Sequence, residues 1–170
     1  MKSYFYIVAF GLLLLPILTS KAQFPSLFWG GPKVETINTS QLYQLLAQQK
    51  PFTTSNNNAE PNFVLVDVRS DKEIEVSVIP GAISKTQFEK DMQKHRGKLV
   101  VPYCTVGVRS GNYAKQLAKR NVKVVNYKGS ILEWVDAGLP LVTLAGQPTN
   151  RVHTYSNKYR VSSKYEQVAG

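Results

Sequence analysis

Short apolar runs alternate with amphipathic stretches through most of this chain, and the two patterns predict different elements. Val34–Ile37 reads as a short strand, after which Thr39 or Ser40 is placed to cap a helix whose Leu42, Leu45 and Leu46 share one face. Phe63–Val68 is apolar on both parities apart from Asp67, the pattern of a strand covered on both faces. Ala82–Ser84 is a further short strand, and Thr86–Lys94 a helix that ends near Gly97. Leu99–Tyr103 is a strand with a misfit: Pro102 has no N–H for a ladder, so a local irregularity is expected there. Tyr113, Ala114, Leu117 and Ala118 form the stripe of a helix over Gly111–Arg120, with Asn121 suited to a left-handed cap. Val122–Tyr127 gives another strand, and Gly129–Ala137 a short helix carrying Trp134, expected in the core. Strands alternating with helices predict an α/β fold: a parallel sheet of about five strands flanked by helices on both faces.

The pattern fails in three places. Met1–Ala22 has a single early charge, Lys2, then none from Ser3 to Ser20, and ends in Ser20-Lys21-Ala22, as a secretory leader does. Its apolar part, Tyr4–Leu18, falls short of the roughly 20 residues that span a bilayer and is broken by Pro16. The reading is an exported protein, periplasmic or secreted, with residues 1–22 either cleaved or kept as an anchor that would associate it with a membrane. Residues 23–33 have turn chemistry and serve as an irregular lead-in. Lys50–Asn62, with two prolines and three consecutive asparagines, is a loop. From 144 to 170 almost no periodic apolar spacing remains, so a poorly ordered tail is expected after a domain at 34–143.

A chain of 170 residues supports one ordinary domain with a real core. The net charge of +10 comes from scattered basic residues without a dense run, which argues for a solvated basic surface and against nucleic acid as a partner. Such a field draws small anions toward the protein. One cysteine excludes an internal disulfide, and with only two well-separated histidines it makes a poor metal-ligand set. No metal or cofactor is expected.

That lone cysteine carries the chemistry. Cys104-Thr105-Val106-Gly107-Val108-Arg109-Ser110 follows an apolar strand and precedes a helix, which places the sulfur over backbone N–H groups that lack intrahelical partners. A nest of that kind favours thiolate over thiol. A core cysteine would need neither the glycine nor the arginine that follow it.

Read as Cys, two residues, Gly, one residue, Arg, Ser, this loop resembles the active-site loop of single-domain rhodanese-like sulfurtransferases. Val66-Asp67-Val68-Arg69 with Glu73, Ile79-Pro80-Gly81-Ala82, Tyr127–Trp134 and Gly138-Leu139-Pro140 resemble the family's other signature segments in the same order. Members often have a histidine before the Ile-Pro-Gly-Ala segment; here Val78 stands there. The resemblance implies a persulfide mechanism with Cys104 as nucleophile and Thr105, Val106, Gly107, Val108, Arg109 and Ser110 as the substrate-binding loop. Arg109 would orient the oxyanion of a small anionic sulfur donor, and a thiol, small or protein-borne, would be the acceptor. Asp67, Arg69 and Glu73 would support the loop, with Arg69 paired to Glu73. Two rivals stand beside it: a non-enzymatic binding or sulfur-carrier module, and a phosphatase or arsenate reductase, whose loops place five residues between Cys and Arg where this chain has four.

Overall fold

The structure is a computed structural model that describes residues 32–48 and 62–169. The expected leader at 1–22, the expected lead-in up to residue 31 and the expected loop at 50–61 lie outside the described residues.

The first strand, β1 (Glu35–Ile37), leads into α1 (Thr39–Gln48). Neither Thr39 nor Ser40 caps this helix: Asn38 does. Its Oδ1 accepts the Gln41 N–H at 2.9 Å, and Gln41 Oε1 accepts the Asn38 N–H at 2.9 Å. This reciprocal box leaves the Thr39 hydroxyl free to bond the Tyr127 hydroxyl at 2.9 Å.

β2 (Phe63–Asp67) lies at the centre of a parallel three-stranded ladder, between β3 (Ile83–Ser84) and β4 (Leu99–Tyr103). A second parallel ladder joins β1 to β5 (Val125–Tyr127). The two meet at the parallel Val100–Val124 bridge, which gives the five-strand order β3-β2-β4-β5-β1. Pro102 accounts for the break between them. Val100 donates its N–H toward β5, to Lys123 O at 2.9 Å, so Pro102, two residues on, turns its nitrogen to the same side. The ladder to β5 cannot continue there, while pairing with β2 stays in register through Tyr103.

Helices cover both faces. Phe63 and Leu65 of β2 pack with Leu42 of α1 and with Ile131, Trp134 and Val135 of α5 (Ser130–Asp136). Val64 and Val66 face the other way, onto Phe88 of α3 (Lys85–Lys90) and onto Tyr113 and Leu117 of α4 (Val108–Lys119). Trp134 is in the core as expected, its Nε1–H donating to Pro140 O at 2.8 Å. Asn121 takes the left-handed conformation, φ 57°, after α4. One helix was not anticipated: α2 (Asp71–Val76), which follows β2 directly.

The expectation for residues 144–170 is corrected by the structure. β6 (Leu141–Val142) pairs antiparallel with β7 (Pro148–Thr149), and β8 (Arg151–His153) pairs parallel with β9 (Glu166–Val168). Val152 is fully buried and Tyr165 nearly so, both in the same core as Leu42 and Trp134. Two apolar residues thirteen positions apart leave no period in the sequence, yet each fills a place that the domain leaves open.

Candidate active site

β4 delivers Cys104 to the carboxyl end of the sheet, and α4 begins four residues later. Two helix starts hold the intervening turn. From α4, Gly107 is the cap, with φ 86°, and its N–H points to Cys104 Sγ at 3.1 Å. A side chain could not stand at 107, because a Cβ there would lie 2.3 Å from the Lys128 carbonyl oxygen. From α5, the N–H groups of Ile131 and Leu132 bind the carbonyls of Cys104 and Thr105 at 3.0 and 3.3 Å. Ser130 Oγ accepts the Cys104 N–H at 3.1 Å, donates to Tyr127 O at 3.1 Å and lies 3.9 Å from Sγ. Ser130 makes these contacts from a left-handed backbone, φ 56°, a conformation that costs a non-glycine residue of order 1–3 kcal/mol and persists where its surroundings over-determine it.

Cys104 sits at the bottom of this turn, 1% exposed. Burial by itself pushes the thiol up; the amide and hydroxyl of Ser110 and the amides of Val106 and Gly107 outweigh it, and the net shift is downward. The loop therefore stabilises a sulfur anion with neutral dipoles. Val106 and Val108 stand exposed on its rim.

The charged residues beside the loop are wired differently from the sequence expectation. Arg69 does not pair with Glu73. It turns back on Asp67, two residues before it on the same chain segment, with its Nε 3.0 Å from Oδ1 and its Nη2 2.7 Å from Oδ2, and it also donates to Ser77 O at 2.6 Å. Both side chains of that pair are fully buried. Glu73 instead receives Arg109 in a two-pronged pair, Nη1 to Oε2 and Nη2 to Oε1, each 2.7 Å. Thr105 Oγ1 donates to Glu73 Oε1 at 2.8 Å and accepts from Arg109 Nη2 at 2.8 Å. The Ser70 N–H and hydroxyl complete the set at Oε2, at 3.0 and 2.7 Å. Burial alone would raise the Glu73 pKa, but the Arg109, Ser70 and Thr105 hydrogen bonds hold it far below the usual carboxylate range.

Glu73 is thus the residue that joins α2 to the cysteine loop. Arg109 is spent chiefly on it: the Glu73 hydrogen bond is the largest influence on the arginine, raising its pKa, and the charge of Cys104 acts in the same direction. Sequence reasoning assigned no role to Ser130 and missed the helix that presents Glu73. The signal for that helix was there: Ser70-Asp71-Lys72-Glu73 has the spacing of a capping box.

Residues 52–137, just over half of the 170, match the family model of the rhodanese-like domain. The chain belongs to the rhodanese-like domain family. A sulfurtransferase of Allochromatium vinosum is 33% identical over 89 residues, 49% of this rhodanese-like chain and 81% of that protein. An uncharacterized protein of Synechocystis sp. is 31% identical over 102 residues, 58% of this chain, and the chain spans 57% of that relative's length. Among solved structures, a thiosulfate sulfurtransferase of Pseudomonas aeruginosa aligns with a TM-score of 0.52 at 19% identity, covering 67% of this chain and 20% of that one. At that identity the likeness is one of fold.

Proposed function

We propose that this rhodanese-like protein moves a sulfane sulfur from a small anionic donor such as thiosulfate to a thiol or cyanide through a persulfide on Cys104. The observation that carries the reading is the Gly107 N–H aimed at Cys104 Sγ from 3.1 Å, with the thiol pKa lowered by the loop's dipoles. The thiolate attacks the outer sulfur of thiosulfate, the S–S bond breaks with its electron pair on sulfite, and Cys104 keeps the sulfane sulfur as an anionic persulfide. An acceptor thiolate then attacks that sulfur and regenerates the thiolate. Both steps move one negative charge along a line of sulfurs, and amide dipoles already in place follow it without a proton transfer.

Arg109 takes a part other than free donor clamp in this reading. With three of its N–H groups on Glu73 and Thr105, it contributes a fixed positive charge at the loop's edge and two remaining N–H donors for a sulfonate. Phosphatases and arsenate reductases that this loop resembles place five residues between cysteine and arginine, and the four here, Thr105 to Val108, favour sulfur chemistry over the phosphatase reading. The sulfurtransferase name of the Allochromatium relative agrees with it. The apolar leader at 4–18 supports a site of action outside the cytoplasm, periplasmic or secreted.

Mass spectrometry tests the proposal. After thiosulfate treatment the protein is expected to gain one sulfur on the peptide containing Cys104, and cyanide should remove it as thiocyanate. Cys104→Ser should gain nothing and lose all transfer while folding normally, since oxygen cannot carry the sulfane sulfur. Sulfur transfer surviving in that variant would rule out the persulfide route.

A further inference from the structure

The family match ends at residue 137, and the chain past it returns to the site. β8 packs against α2, the helix that carries Glu73, and the turn after β8 sets the Tyr155 ring over the guanidinium of Arg109, with Cζ 5.4 Å from the ring centroid. We propose that Tyr155 is a positioning residue of the site, its ring holding Arg109 flat in the pair with Glu73 and so fixing the arginine's charge beside Cys104. The proposal rests on the sulfurtransferase reading only for the identity of the reaction that is affected.

Three observations converge on this residue. Tyr155 is an aromatic residue in the left-handed region, φ 65°, where glycine or asparagine is the usual occupant. The turn is held from several sides. Tyr155 donates its N–H to His153 Nδ1 at 3.0 Å, and the fully buried Thr154 donates to Val168 O at 2.9 Å and Ser156 O at 3.1 Å and accepts from Gln167 at 3.1 Å. The ring is also not there for the core, since Tyr155 is 62% exposed.

An exposed ring in an unfavourable turn serves neither the turn nor the core; its contact with Arg109 is what a tyrosine supplies and a glycine would not. The guanidinium needs such a cover, because its edge is committed to Glu73 and Thr105 while its side chain remains 38% exposed. His153 fits the same scheme. It is almost fully buried, and burial, with Arg69 and Arg109 acting in the same sense against Glu73, lowers its pKa. A neutral ring leaves Nδ1 free to accept the Tyr155 N–H.

The test uses the full chain and two readouts, the rate of Cys104 alkylation by iodoacetamide as a function of pH and the single-turnover rate of sulfur loading from thiosulfate. Tyr155→Ala is expected to move the alkylation midpoint upward and to slow loading about two- to fivefold, the range for a cation–π contact at an exposed site. Tyr155→Phe should keep wild-type values. Tyr155→Gly relaxes the turn and guards against misfolding; it should show the same losses with an undiminished melting temperature. In an Arg109→Gln background, which removes the cation and keeps a hydrogen-bond donor for Glu73, Tyr155→Ala should add nothing. Equal losses in both backgrounds, or an unchanged alkylation midpoint in Tyr155→Ala and Tyr155→Gly, would overturn the proposal. A wild-type protein that alkylates with a low midpoint but never loads sulfur would instead overturn the sulfurtransferase reading, and the role of Tyr155 would still be decided by alkylation alone.

Discussion

Gly107 and Glu73 bear most of the burden of shaping the site at the level of single residues. At Gly107 a positive φ coincides with a carbonyl that leaves no room for a Cβ, so neither difficulty can be relieved without worsening the other. Gly107→Ala is expected to destabilise the fold by about 2 kcal/mol or more and to swing the 107 amide off the sulfur, raising the thiol's alkylation midpoint. An unchanged midpoint would show that this amide does not stabilise the thiolate. Glu73 has a depressed folded-state pKa, so its contribution to stability is fully present above its ordinary value of 4.5 and is lost as pH falls through the folded value. Glu73→Gln should cost about 2–3 kcal/mol near neutral pH, less than a wholly buried pair because Arg109 is 38% exposed. The gap between variant and wild type should narrow below about pH 4.5, which melting curves across that range would show.

At the level of elements, the site is a junction of two helix starts on one strand end. α4 supplies amides to the sulfur, and α5 grips the carbonyls of Cys104 and Thr105 from the opposite side. The turn between them is therefore held at both edges, and its length is set by the span between those two helices. Inserting one glycine between Val106 and Gly107 should move the amides from the sulfur and lower sulfur transfer more than tenfold, since a misplacement of about 1 Å can cost about a hundredfold. Full transfer in an insertion variant with an unchanged melting temperature would mean that amide geometry does not govern the chemistry.

For the molecule as a whole, the chain after α5 is part of the domain. Val152 and Tyr165 close the core over Leu141 and Trp134, and Tyr165 donates its hydroxyl to Leu139 O at 2.6 Å. Lys164 adds a bond to the Gly138 carbonyl, so the segment grips the end of α5 at two successive residues. Val152→Ala removes about two methylene equivalents from a fully buried position and should cost about 1.5–2.5 kcal/mol in urea unfolding, without a second transition. A loss near zero would indicate that β8 is not integral to the core.

The sequence alone determined those parts of this protein that depend on neighbours in the chain. Apolar runs and stripes are local periodicities, so the order of the five sheet strands and of the helices other than α2, the two-sided burial of β2 and the cysteine turn with its glycine could all be read from residue types and spacings. Even the misfit of Pro102 was legible, although the reason it is tolerated lies in which side of β4 its nitrogen faces. Tertiary structure alone decided the partners of charge. Glu73 could reach either arginine by type; Arg69 lies within a short loop of Asp67, and the packing of α2 against the cysteine turn brings Arg109, 36 positions away, onto its carboxylate. The fate of residues 144–170 was decided in the same way. Val152 and Tyr165 have no period between them, and their burial arises from gaps that exist only once the sheet and α5 have come together.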